Sequence, residues 1–142
     1  MNWSWQAVLR ERGVAWVETA SPAAQAQGLA ETVAAALSDA LASRGEARMA
    51  LSGGRSPIPF LQALACHVLD WEQVKLTLVD ERWVSSDQPE SNERLLRRHL
   101  RPVFDRLHWQ PLYQGASPAQ DAVTAGAALL KWQPLDVVVL GM

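Results

Sequence analysis

Two short stretches combine residue types that could do chemistry. The first, Leu51-Ser52-Gly53-Gly54-Arg55-Ser56-Pro57, runs an apolar segment into two glycines, an arginine and a Ser-Pro pair. Glycines let the backbone approach a ligand and adopt positive φ, and a following helix presents free N–H groups with a favourable dipole. The hydroxyls of Ser52 and Ser56 and the guanidinium of Arg55 add donors, so the stretch suits a phosphate monoester. It has neither the Gly-Lys-Ser/Thr of a Walker loop nor the dinucleotide fingerprint. A tight strand-to-helix turn without a ligand accounts for the same residues, and both readings stay open.

The second stretch is Leu78-Val79-Asp80-Glu81-Arg82-Trp83-Val84. Three consecutive charges after an apolar run cannot all face a core without partners. Arg82 could clamp a phosphate or a carboxylate through two N–H groups, and Asp80 could orient a hydroxyl or move a proton. A structural Asp–Arg pair closing a strand end is the alternative. Beyond it, Ser91-Asn92-Glu93-Arg94 reads most simply as a helix cap, and Arg97-Arg98 as a solvated helix face. His67, His99 and His108 share no metal-ligand spacing and none follows a strand exit, so no metal site is expected. His67 and His99 read as ordinary helix residues. The seven tryptophans are scattered, with Trp83 of interest only because it adjoins Arg82.

Elements must hold these stretches together. Ser21-Pro22, Ser56-Pro57 and Ser117-Pro118 each look like a helix start, because serine caps first-turn N–H groups and proline at the first position loses no bond. Gln120 completes a capping-box pattern with Ser117. Leu29, Val33, Leu37 and Leu41 predict an apolar helix stripe that stops at Gly45. Phe60, Leu61, Leu64, Ala65 and Val68 predict a second helix. Glu93–Leu100, capped by Ser91 or Asn92, is a third, and a fourth carries Val123, Ala127 and Leu130. Apolar runs at Val14–Val17, Ala47–Leu51, Leu76–Val79 and Leu135–Leu140 read as strands, with an edge strand or loop near Trp109–Tyr113. Leu135–Leu140 is apolar enough for a strand covered on both faces. Strands alternating with helices predict one open, mainly parallel α/β domain over residues 1–142. Ligands in such sheets bind beyond the carboxyl ends of the strands, where both charged stretches fall.

Composition narrows the function. With 13 Lys plus Arg against 15 Asp plus Glu, the net charge is −2, and no basic stripe points to nucleic acid or an acidic membrane. Cys66 is the only cysteine, set in an apolar helical run where a buried hydrophobe is expected. No apolar run is long enough to span a bilayer, and Met1-Asn2-Trp3-Ser4-Trp5 lacks a signal-peptide pattern, so a soluble cytoplasmic protein is expected.

Taken in order, Ser52–Pro57, Asp80–Val84, Ser91–Arg94 and Val138-Val139-Leu140-Gly141-Met142 resemble the 6-phosphogluconolactonase family over essentially the whole chain. Related sugar-phosphate isomerases and glucosamine-6-phosphate deaminases share the fold. The deaminases usually show Thr-Gly in the first loop and Asp-Glu-Tyr in the second, so the Ser-Gly-Gly loop and Arg82 favour the lactonase. The resemblance implies an open Rossmann-like sheet with helices on both faces. It also implies cofactor-free hydrolysis of 6-phosphoglucono-1,5-lactone to 6-phosphogluconate in the pentose phosphate pathway. Ser52, Gly53, Gly54, Arg55 and Ser56 would bind substrate, Arg82 would hold anionic oxygens, and Asp80 and Asn92 would support the site. In the family, Leu-Gly-Met continues into Gly-x-Asp-Gly-His, whose histidine is the expected general base. That segment is expected beyond Met142, which implies a chain lacking the C-terminal part of the fold. Such a chain is expected to bind rather than turn over, and to self-associate through uncovered apolar surface. A sugar-phosphate isomerase or deaminase, or a non-catalytic sugar-phosphate-binding module, are the alternatives.

Overall fold

The computed structural model describes residues 4–141; residues 1–3 and Met142, which closes the Leu-Gly-Met motif, lie outside the described residues. Four strands, β1 (Ala47–Leu51), β2 (Val74–Leu78), β3 (His108–Gln110) and β4 (Val137–Val139), form a parallel sheet in the order β3-β2-β1-β4. Ala47 lies opposite Val74 and Leu51 opposite Leu78, while Met49 is beside Val137. The expected edge strand is therefore real but short, and it ends before Pro111, which has no N–H to give a ladder.

Side chains alternate across a strand, so β1 and β2 each show two faces. On one, Ala47, Met49, Leu51, Val74, Leu76 and Leu78 are all buried. They join the core with α2 (Pro22–Arg44), α3 (Ile58–Ala65), α4 (Asn92–His99) and α5 (Arg101–Phe104). Arg48 and Lys75 belong to the opposite face. Arg48 Nη1 donates to the carbonyls of Trp132 and Gln133, 3.1 Å each, and Lys75 Nζ sits 5.9 Å from the Trp132 ring centroid. The segment that follows α6 (Pro118–Leu130) thus lies against that face.

Local signals explain most boundaries. Ser21 is extended at φ −158° and its Oγ accepts from Ala24 N at 3.1 Å, with Pro22 at the first helical position. Gly45 stops α2 at φ 75°, a left-handed conformation that glycine adopts without a Cβ clash. Ser91 and Ser117 cap α4 and α6 through Arg94 N and Gln120 N. The buried stripe of α2 is Ala30, Val33, Ala34, Leu37 and Ala40, with Leu29 exposed. A strict four-residue spacing advances about 40° per step on a helix of about 3.6 residues per turn, so its ends leave the core face.

Several expectations need correction. Ser56 does not cap α3: Pro57 is the N-cap residue, no side-chain bond closes that end, and the helix opens at Ile58. Cys66 is exposed, because it shares the outer face of α3 with Pro59 and Gln62, and its Sγ lies 3.3 Å from the Gln62 carbonyl. Val68 falls beyond the helix and is 99 % exposed, and His67 lies in the turn after it. Val14–Val17 is not a strand, since no described strand offers it a ladder. The unforeseen α1 (Trp5–Glu11), capped by Ser4, precedes it and buries no residue. On α6, Val123 and Leu130 are 72 % and 76 % exposed, while Asp121 and Ala125 are buried. Ala122, Gly126 and Ala127 are exposed as well, and Leu129 is half-buried. Val138 and Leu140 are likewise exposed, so β4 is not covered on both faces. The short α5 was not anticipated either.

Candidate functional site

Chain order reverses at β1: β2 and β3 lie to one side of it and β4 to the other. Such a switch point opens a crevice at the carboxyl ends of the strands. Both ladders continue one step past the strands, with Val79 N donating to Leu51 O at 2.9 Å and Ser52 N to Val139 O at 3.2 Å. The exits of β1, β2 and β4 are therefore level.

Ser52 fastens two of these exits. Its Oγ donates to Val139 O at 2.9 Å and accepts from Gly141 N at 3.1 Å. Gly53 follows, and a Cβ there would overlap Oδ1 and Cγ of Asn92, so only glycine fits. Gly54 turns the chain at φ +96°, and Arg55 and Ser56 are exposed. Asn92 is 4 % exposed, and its Nδ2 donates to Asp80 O at 3.1 Å. One side chain thereby joins the exits of β1 and β2, touching the glycine loop and the acid–arginine stretch at once.

The residue that sequence reasoning missed is Glu81. Its Oε1 accepts from Asn92 N at 2.7 Å and Arg82 N at 2.8 Å, and its Oε2 from Glu93 N at 2.9 Å and Ser91 Oγ at 3.4 Å. A carboxylate at a helix N-terminus takes up orphan N–H groups and complements the dipole. Glu81 thus seats α4, and with it Asn92. Three charges in a row beside a serine cap held the signal for this. Glu93 is a second buried carboxylate, accepting from Arg97 at 2.9–3.0 Å and from Trp109 Nε1 at 3.1 Å, which ties α4 to β3. Arg97 also lies 4.5 Å from the Phe104 ring, so it is a packed side chain and not a plain solvated one.

Arg82 is exposed, and its Nη1 donates to Glu90 O at 2.9 Å. It borders two hollows. One, of about 430 Å³, runs between α3 and α4 and is lined by Gly54, Arg55, Asn92, Arg94, Arg98 and His99 among others. The other, of about 400 Å³, lies toward α6 under Trp83 and Tyr113, whose rings meet edge-on at 4.7 Å. Ser52, Ser56 and Asp80 line neither hollow. Asp80 is exposed at the exit of β2, and only its carbonyl is engaged. Burial, then the charge of Arg98, holds the pKa of His99 below the usual imidazole value. No histidine among the described residues stands at a strand exit: His108 opens β3, His67 follows α3 and His99 ends α4.

Residues 20–142 match the model of the glucosamine-6-phosphate isomerases/6-phosphogluconolactonase family. The chain belongs to that family. It is 45 % identical over 125 residues to the 6-phosphogluconolactonase of Pseudomonas aeruginosa, covering 86 % of this chain and 52 % of that protein. Against the enzyme of Rhizobium meliloti the identity is 42 %, over 86 % of this chain and 54 % of the relative. The crystal structure of a 6-phosphogluconolactonase from Shewanella baltica superposes with a TM-score of 0.81 at 38 % identity, covering 86 % of this chain and 54 % of that one. A monomeric glucosamine-6-phosphate deaminase superposes at 0.73 with 16 % identity, which shows the shared fold alone. The chain spans about half the length of the relatives it matches. The lactonase-family sheet, with its switch point at β1, is therefore present together with the glycine loop and the Asp-Glu-Arg exit. No helix among the described residues is long and apolar enough to cross a membrane.

Proposed function

We propose that the chain supplies the substrate-binding side of a cytoplasmic 6-phosphogluconolactonase, the enzyme that hydrolyses 6-phosphoglucono-1,5-lactone to 6-phosphogluconate. The observation that carries this reading is the bridge made by Asn92 between the Ser52–Gly54 loop and Asp80, in a chain 45 % identical to a bacterial lactonase. Lactone hydrolysis needs water deprotonated against the carbonyl, donors for the oxyanion, and an anchor for the charged remainder of the sugar. Ser52, Gly53 and Gly54 shape the crevice, and Arg55 and Ser56 extend its donor side. Arg82 holds anionic oxygens, Asp80 orients a hydroxyl or moves a proton, and Asn92 keeps the two loops in register.

Because no described histidine stands at a strand exit, these residues favour binding over rapid turnover. The discriminating experiment follows lactone loss by base uptake at constant pH and measures 6-phosphogluconate binding by calorimetry in parallel. Binding with lactone loss above the spontaneous rate establishes the enzyme, and binding at the spontaneous rate establishes a sugar-phosphate-binding module. A chain that ignores 6-phosphogluconate contradicts both.

A further inference from the structure

Helix α6 is apolar on more sides than its own fold covers. From Ala122 to Leu130 it carries no charge, yet only Asp121 and Ala125 of the helix are buried. At about 100° per residue, Ala119, Ala122, Val123, Gly126, Ala127 and Leu130 share one exposed arc. Val123 and Leu130 stand furthest out of it. The polar side chains lie elsewhere: the Asp121 Oδ2 accepts from Gln114 N at 2.6 Å, and Thr124 donates to the Gln120 carbonyl at 3.0 Å. A helix that is apolar all round is ordinarily a buried one.

Gly126 points the same way. A glycine inside a helix is destabilising relative to alanine. A Cβ at Gly126 would meet nothing within 4 Å, so nothing in its own chain requires the residue to be small. A second helix backbone laid over the arc would require it, because the side chains at a helix contact set how closely two axes approach. The arc also fits its own image. An antiparallel pairing about a two-fold axis at Gly126 sets Leu130 of each copy against Ala122 of the other, large against small. Ala122 and Gly126 border the hollow under Trp83 and Tyr113, which gives the incoming Leu130 side chain room. A two-fold contact buries every group on it twice, and this arc has no charge to bury. We propose that a second copy of this chain docks here, α6 against α6, in a reversible isologous dimer. The contact is one helix wide, which places it among weak interfaces.

Gly28 supplies the control. It too lies inside a helix, α2, with nothing within 4 Å of a Cβ, but it stands among the exposed polar side chains of Gln25, Gln27 and Glu31. Alanine at either glycine favours the helix, so both variants should raise the urea midpoint of the dilute chain. Only Gly126→Ala should also weaken association, because its methyl group stands where two backbones meet. Stability and association then move in opposite directions at Gly126 alone.

The test is sedimentation equilibrium of the full chain across a range of concentrations. The wild type should pass from monomer to dimer as concentration rises. Gly126→Ala should weaken the dimer about tenfold or more, and Gly28→Ala should leave it unchanged. Leu130→Glu and Ala122→Lys should each stay monomeric where the wild type is dimeric, since each buries an unpaired charge. An equimolar mixture of those two should dimerise again. The antiparallel register pairs the new carboxylate with the new ammonium and leaves one Leu130–Ala122 contact intact, a rescue that a damaged fold would not give. A chain monomeric at every concentration, its arc left to a different polypeptide, overturns the proposal. So does a dimer that Gly126→Ala and Leu130→Glu leave untouched, or a mixture that stays monomeric. The sugar-phosphate reading stands or falls separately, on residues of other elements.

Discussion

At the residue scale, the site depends on one contact that no motif spells out, the packing of Asn92 on Gly53 while its amide holds Asp80 O. Gly53→Ala places a methyl group inside Asn92, so overpacking should cost about 1–3 kcal/mol and weaken 6-phosphogluconate binding. Urea unfolding with calorimetry checks this, and a variant as stable and as tight as the wild type would refute the contact. Glu81→Gln exchanges a carboxylate that accepts three main-chain N–H groups for an amide with a single acceptor oxygen. The expected loss is about 1.5–3 kcal/mol, the range of hydrogen bonds to charged groups. It should appear as a lowered urea midpoint with α4 amides exchanging faster. The glycine loop and the Asp80–Arg82 stretch were legible because charge and glycine at a strand exit demand an explanation. Glu81 was less so, as its partners on α4 and at its cap, Ser91, Asn92 and Glu93, lie ten to twelve residues away. Ser56 misled because the capping rule reads type and position, whereas Pro57 had already taken the cap.

At the scale of elements, caps were the clearest text. Ser21, Gly45, Ser91 and Ser117 do what their chemistry predicts, since each satisfies groups within its own turn. Faces were harder to read. Cys66, Val123 and Leu130 face outward because tertiary packing, which periodicity does not encode, chose the other side of each helix. Val14–Val17 shows the same limit, since an apolar run becomes a strand only beside another strand. The entry of the sheet carries an electrostatic tie of its own. Glu46 accepts from Arg48 Nη2 at 3.0 Å and lies 2.9 Å from Lys75 Nζ, joining the starts of β1 and β2. Its pKa is lowered to about 2, first by the Arg48 bond and then by that of Lys75. Its unfolded value is 4.5, so between those limits the unfolded chain binds more protons. The contribution of Glu46 is full above pH 4.5 and is lost as pH falls toward 2. A carboxyl NMR titration should place Glu46 near 2, and Glu46→Gln should flatten the acid limb of stability. Titration of Glu46 near 4.5 would remove the tie from the account.

For the whole molecule, the architecture was legible from alternation alone, since strand–helix repeats leave few arrangements beyond a parallel sheet. The position of β4 was not, because its return past β1 is a matter of topology rather than of any single residue. Its consequences are large, since that return sets the exit of β4 beside that of β1, where Gly141 N donates to Ser52 Oγ. The same region leaves Val123, Leu130, Val138 and Leu140 exposed. Exposed apolar surface promotes association, so we propose that the chain self-associates, with sedimentation showing a mass that rises with concentration. A concentration-independent monomer would count against it. The central claim is that the β1 and β2 exits form one sugar-phosphate site, and calorimetry with 6-phosphogluconate on the wild type and Arg82→Ala tests it most directly. The account predicts saturable binding by the wild type and about tenfold or greater weakening in the variant, the scale of one charge-assisted pair. Equal affinity in the two proteins would contradict it.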